Sequence, residues 1–239
     1  MSDAIEPSSV IRRTVNIYRG QARVLLPLSA VVFGVTGIIS AILIAAASPL
    51  IYASFLISDV AIVLFAGMAV GLVDDVQNGR RDTSVGQMLS IVMPVLGQLI
   101  LVGIVTGIGI FVGFILIVVP GLILATVWSV VAPVVVLERP GGLRALSRSR
   151  ELVRGNGWQV FSVIFVLLFL VGLLASGIDF AANSAGTGVG VVVRVIVGIF
   201  TAPLGALTGA VLYFDLCDLP GAEGYAKTAP SATILSDVR

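Results

Sequence analysis

From Val85 to Leu137 the chain reads VGQMLSIVMPVLGQLILVGIVTGIGIFVGFILIVVPGLILATVWSVVAPVVVL, without one charged residue. A bilayer's hydrocarbon core is about 30 Å thick, and about 20 apolar residues in a helix cross it. This stretch is too long for one crossing and is read as two, Met88–Gly109 and Phe111–Leu137, with a turn near Ile110. Four more charge-free stretches flank it: Val24 to Ser58, Val60 to Val73, Gly155 to Ile178 and Val195 to Phe214. They give the spans Val24–Ala47, Leu50–Val73, Trp158–Ile178 and Gly190–Tyr213. The expected fold is all-α: a polytopic membrane protein with six transmembrane helices arranged as three hairpins.

Composition agrees. The chain has 239 residues, of which 58% are hydrophobic and 11% charged, where soluble domains carry about 25% charge. A soluble fold of this size could not hide so much apolar surface. Ala45-Ala46-Ala47 resembles a cleavage site, but the segment before it is longer than a signal peptide's apolar region and Pro49 follows closely. It is read as a retained helix.

The basic residues alternate from loop to loop. Arg12, Arg13, Arg19 and Arg23 precede the first span, Arg80 and Arg81 follow the second, and Arg139, Arg144, Arg148, Arg150 and Arg154 follow the fourth. The intervening turns at Ser48, Ile110 and Asp179–Val189 carry none. Positive loops stay in the cytoplasm, so both termini are expected there, in a bacterial inner membrane. Three parts result: a cytoplasmic amphipathic segment 1–23, a transmembrane domain 24–214 and a polar tail 215–239.

Two segments have helical amphipathic patterning. In Ser9–Arg23, Val10, Ile11, Thr14, Val15, Ile17 and Tyr18 fill one arc, and Arg12, Arg13, Asn16 and Arg19 fill the opposite one. In Pro140–Gly157, Leu143, Leu146, Ser149, Leu152 and Val153 oppose Arg144, Arg148, Glu151 and Arg154, with Arg150 breaking the stripe and Trp158 at the membrane boundary. Helices of this kind lie in the interface, with apolar arcs toward acyl chains and Arg toward phosphate. Arg12, Arg13, Arg19, Arg144, Arg148, Arg154 and Trp158 are therefore the expected contacts to anionic lipid or to a partner, either another membrane protein or a second copy.

A weak repeat links the two segments. Arg13-Thr-Val-Asn-Ile-Tyr-Arg19-Gly20 resembles Arg148-Ser-Arg-Glu-Leu-Val-Arg154-Gly155 at an offset of 135 residues, and Gly37 matches Gly172. The even-numbered spans each end in acid: Asp74-Asp75 before Asn78-Gly79, Glu138 before Pro140-Gly141, and Asp215 and Asp218 before Pro220-Gly221. Carboxylates at helix C-termini oppose the macrodipole, so they need Arg beside them. The expected ring of charge comprises Asp74, Asp75, Arg80, Arg81, Glu138 and Asp215.

Chemistry is thinly represented. The chain has no His and one Cys, Cys217, so neither imidazole catalysis nor a Cys cluster can be built. No phosphate-binding loop, metal cluster or membrane-embedded nucleophile with a base is found. Neither a cofactor nor nucleic-acid binding is implied. Asp59, Asp179 and Arg194 sit near span ends, where snorkelling is easy. Gly103, Gly107, Gly109 and Gly113 suit close helix contact. Pro27, Pro94, Pro120, Pro133 and Pro203 suit kinked helices, which transporters use.

Phe114-Ile-Leu-Ile-Val-Val-Pro120-Gly121, Ala132-Pro133-Val-Val-Val-Leu-Glu138 and Ala145-Leu-Ser-Arg-Ser-Arg-Glu-Leu-Val-Arg154-Gly155-Asn-Gly-Trp158 together resemble the membrane domain fused to some glycerophosphoryl diester phosphodiesterases. Tyr213-Phe-Asp215-Leu is similar to that family's Tyr-Tyr-Asp-Leu-Arg ending, with Cys217 where Arg is usual. The resemblance implies the helical bundle. It implies no phosphodiesterase activity, because the family's hydrolase is a separate soluble barrel. The function expected from sequence is a non-catalytic membrane protein that meets anionic lipid or a partner through its Arg face, with a small-molecule or ion transporter as the alternative.

Overall fold

A computed structural model describes residues 6–46, 51–77, 85–183 and 187–219. Nearly all of these are helical, and no strand occurs among them. The helices are α1 (Pro7–Ala45), α2 (Ile51–Gln77), α3 (Val85–Val92), α4 (Leu96–Leu116), α5 (Val118–Val127), α6 (Val131–Pro133), α7 (Arg144–Val153), α8 (Gly157–Asn183) and α9 (Thr187–Cys217). A 3₁₀ turn at Met93–Val95 joins α3 to α4, and a π turn at Val134–Glu138 continues α6. Arg80, Arg81, the Asn78-Gly79 turn and the tail beyond Leu219 lie outside the described residues, as do the side chains of Asp59 and Asp179.

Five stretches are long and apolar enough to cross a membrane: Pro7–Leu43, Gly86–Leu116, Val118–Glu138, Gly157–Leu174 and Val192–Cys217. Their outward faces are apolar as well. Val31, Val35, Ile38 and Ile42 on α1, Ile108 and Ile115 on α4, and Leu170, Leu173 and Leu174 on α8 are all exposed. A soluble monomer rarely exposes so continuous an apolar belt, whereas acyl chains cover one at no cost.

Consecutive helices pack as α1 on α2, α4 on α5 and α8 on α9, and α9 also lies against α1 and α2. α1 and α9 run antiparallel: Ser29 Oγ donates to the Ile199 carbonyl at 2.9 Å, and a Cβ on Gly37 would strike Val195. One end of the bundle holds much of the buried core, including Val10, Val73, Met88, Val153, Tyr213 and Leu216.

Two boundaries differ from the sequence reading. The hairpin turn falls at Ile117, which is extended (φ −162°, ψ 145°), and not near Ile110. Pro120 is the reason: in the first turn of α5 its missing N–H costs nothing, since those donors have no intrahelical partner. The glycines around the expected turn serve close packing, as their small size suggested. A Cβ on Gly103 would lie 2.5 Å from Val63, one on Gly109 2.6 Å from the Trp128 ring, and one on Gly113 2.9 Å from Gly121 Cα.

The second correction concerns segment 1–23. Its helical part is no separate interfacial helix but the first turns of α1, which runs unbroken through Gly20 and Pro27 for 39 residues. After Gly20 come Gln21 and Ala22, which sustain a helix. At the matching point of the repeat, Gly155 is left-handed (φ +93°) and is followed by Asn156, whose carbonyl accepts the first bond of α8 from Val160. There the chain breaks.

Candidate functional site

The site is built around a local departure from helical geometry. After Pro133 the chain widens into a π turn, so that the Arg139 N–H donates to the Val134 carbonyl at 3.2 Å. Arg139 then adopts a left-handed conformation (φ 48°), which non-glycine residues seldom do. Gly141 and Gly142 follow with positive φ, and the chain turns into α7. π turns and strained residues tend to occur at functional positions. Here they end the helix on Glu138 and aim its carboxylate at α7 and α9.

Both carboxylate oxygens are engaged. Glu138 Oε2 accepts from Arg148 Nε at 2.8 Å, and Oε1 accepts from the Tyr213 hydroxyl at 3.0 Å. The side chains of Glu138 and Arg148 are 13% and 24% exposed, so the pair is largely desolvated. Arg148 Nη1 also meets Glu151 at 3.5 Å. Burial alone would lower the Arg148 pKa, but Glu138 and then Glu151 outweigh it and hold the guanidinium above its ordinary value. Buried Cys217 packs one turn beyond Tyr213 and against its hydroxyl.

A second ion pair joins Arg13 on α1 to Asp215 on α9. Arg13 and Arg148 occupy equivalent places in the repeat, and each holds a carboxylate at the C-terminal end of an apolar segment. The adjoining hydroxyls, Thr14 and Ser149, are both buried. Ser149 Oγ donates to the Val127 carbonyl at 2.7 Å, satisfying an acceptor left open where α5 ends.

The structure thus divides the residues expected at the Arg face. Arg13 and Arg148 are held by carboxylates, while Arg12, Arg19, Arg144 and Arg154 are exposed, as are Arg150 and Arg23. Trp158 is 76% exposed and heads a stacked ladder with Phe161, Phe165 and Phe169. Asp74 and Asp75 lie half-buried at the end of α2. Much of each apolar arc faces protein: Val10 and Thr14 are buried in the bundle, and so are Ala145, Ser149, Leu152 and Val153 of α7, while Ile11 and Leu143 stay exposed. α7 packs on α5, α6 and α9, because a face covered by protein gains the same burial that lipid would give.

Tyr213 and Cys217 entered the sequence reading through the resemblance at the chain's Tyr213-Phe-Asp215-Leu ending, and Ser149 as a member of an apolar arc; none was expected at the site. No group of His, Cys, Asp or Glu suited to a metal occurs among the described residues.

A family model described as "Domain of unknown function (DUF8558)" matches residues 83–216, more than half of the chain. The match takes in Glu138, Arg148, Tyr213 and Asp215, but not Arg13. No curated protein and no solved structure matches the chain.

Proposed function

The chain belongs to the DUF8558 family, and on that premise we propose that it is a non-catalytic cell-membrane protein that meets anionic lipid, or a partner protein, through one Arg-bearing end. One observation carries the reading. The Arg13–Asp215 and Arg148–Glu138–Tyr213 contacts gather the start of α1, all of α7 and the end of α9 at a single end of the bundle. Arg12, Arg19, Arg144, Arg150 and Arg154 are left exposed there, on helices whose apolar sides are largely packed. Contact with phosphate is then electrostatic and lateral, without insertion of a helix. In this reading α2, 27 residues long, is the sixth span, and the Arg-bearing end with both termini is cytoplasmic. Likeness to the membrane domain of glycerophosphoryl diester phosphodiesterases fits the bundle and adds no catalytic step.

Two experiments test this. A reporter active only in the cytoplasm should work when fused after Arg239 or within 78–83, and fail at Ser184; activity at Ser184 would reverse or dismantle the topology. For the ligand, lipids retained through purification are identified by mass spectrometry. Anionic phospholipid should be enriched over zwitterionic, and Arg144→Gln with Arg154→Gln should cut that enrichment, by about fivefold per Arg removed at low salt. Equal retention of both lipid classes by the unaltered protein would remove lipid from the reading.

A small-molecule transporter is the second reading. It is favoured by the interruption at Trp128–Val130, between α5 and α6, since broken helices line transporter sites. Flux into proteoliposomes separates the two.

A further inference from the structure

The interruption at Trp128–Val130 leaves a cavity of 260 Å³ between α2, α4 and the α5–α6 segment. Gly103, Gly107 and Ala132 are the small residues of its lining, and the Trp128 ring is set against Gly109. Val63, Leu99 and Val135 supply much of the apolar wall.

Two lining residues break the apolar pattern. Thr106 Oγ1 and Ser129 Oγ are buried and have no hydrogen-bond partner among the described residues. Several helical threonines bond their own backbone: Thr126 to the Leu122 carbonyl at 2.7 Å, Thr201 to Val197 at 2.8 Å and Thr208 to Leu204 at 2.7 Å, whereas Thr14, away from this cavity, has no partner among the described residues. Thr106 has none either. An unpaired hydroxyl in a low-dielectric interior is unfavourable, and native proteins supply a partner.

We propose that this cavity is a binding site for a small neutral molecule of the alcohol or phenol class, its hydroxyl paired with Thr106 and Ser129. Each requirement has a source in the lining. No ionisable side chain borders the cavity, so a charged ligand would be desolvated without compensation. A hydroxyl both donates and accepts, which answers two protein hydroxyls that can do the same. The indole of Trp128 and the aliphatic wall suit an aromatic or branched body. A dry cavity of about 150 Å³ holds benzene, so 260 Å³ has room for a ring with a substituent.

The test uses Trp128 as its reporter. The chain has two Trp, so Trp158→Phe leaves Trp128 alone in the full-length, detergent-solubilised protein. Titration with 4-bromophenol should quench its fluorescence saturably, and excess unbrominated phenol should restore it. Adding Thr106→Val and Ser129→Ala should weaken 4-bromophenol binding about tenfold while leaving bromobenzene unchanged. Ala132→Leu, which fills the space, should abolish saturation. Linear quenching that phenol does not reverse would mean simple partition into the micelle and would overturn the site. Absence of quenching, as for a cavity holding only water, would do the same. If the hydroxyl-deleting variants weakened bromophenol and bromobenzene equally, the alcohol-class assignment would fall.

Discussion

Glu138→Gln should lower the melting temperature of the detergent-solubilised protein by roughly 5–10 °C. The native carboxylate accepts one charge-assisted bond from Arg148 and one bond from Tyr213, in surroundings that leave Glu138 only 13% exposed. A carboxamide is isosteric but has one acceptor oxygen and two donors. Whichever way it turns, an N–H₂ group faces either a guanidinium or a phenol hydroxyl. Another carboxylate near Arg148, Glu151, is 3.5 Å away and 65% exposed, a weak substitute. Removing one partner of a fully buried pair costs about 3–5 kcal/mol, and partial exposure here reduces that to roughly 2–3 kcal/mol. For a chain of this size each kcal/mol moves the midpoint by about 2–4 °C. Glu151→Gln is the matched control and should change stability by less than about 0.5 kcal/mol. A double-mutant cycle with Arg148→Gln isolates the pair itself, with an expected coupling above about 1 kcal/mol. Equal melting points for Glu138→Gln and Glu151→Gln would show that the cluster does not hold the bundle's end together.

That pairing was half legible in the sequence. An acid at the end of an apolar segment, next to a turn, opposes the helix dipole and calls for a cation, and Arg148 was among those available. What the sequence did not supply was the choice among them. Glu138 could have met Arg13 or Arg144 by the same reasoning, and the selection is made by the π turn and by left-handed Arg139, features with no pattern of their own. Tyr213, 75 residues beyond Glu138, was beyond any local argument. Contacts at that separation are decided by how α9 packs, not by periodicity.

The repeat shows what such a signal is worth. Arg13 and Arg148 match in sequence and in role, each gripping a terminal carboxylate. Yet one copy lies within a 39-residue helix, about 58 Å long at 1.5 Å per residue, and the other forms a separate ten-residue helix. The residues just after the aligned Gly decide this: Gln21-Ala22 carries α1 onward, and Asn156-Gly157 restarts the chain as α8. The ion-pairing positions were transferable between the copies, whereas helix boundaries were not. Uniformly apolar stretches hide boundaries further, since capping residues are absent and glycine has two readings. Between Gly103 and Gly113 the packing reading is the one the structure follows.

Gly113→Val should therefore be among the most damaging single substitutions in the chain. A Cβ at Gly113 would stand 2.9 Å from Gly121 Cα and 3.0 Å from Gly121 N. These are backbone atoms across the α4–α5 contact, so no side chain can rotate out of the way. The two helices would have to separate, and Ile117, alone between Leu116 and Val118, gives the turn little slack. Gly121 is equally committed, because a Cβ there would lie 2.6 Å from the Phe114 ring. Overpacking of this kind costs about 1–3 kcal/mol where side chains can yield, and more than about 3 kcal/mol is expected where only backbone can move. The readout is the monodisperse fraction on size exclusion, which should fall severalfold. Gly172→Val carries the same change in helix propensity, and Gly172 has nothing within 4 Å of its added Cβ. It should leave stability unchanged or raise it by a few tenths of a kcal/mol, since Val is the better helix former. If both variants elute as well as the parent protein, the two helices do not meet at Gly113, and the hairpin turn belongs elsewhere than Ile117.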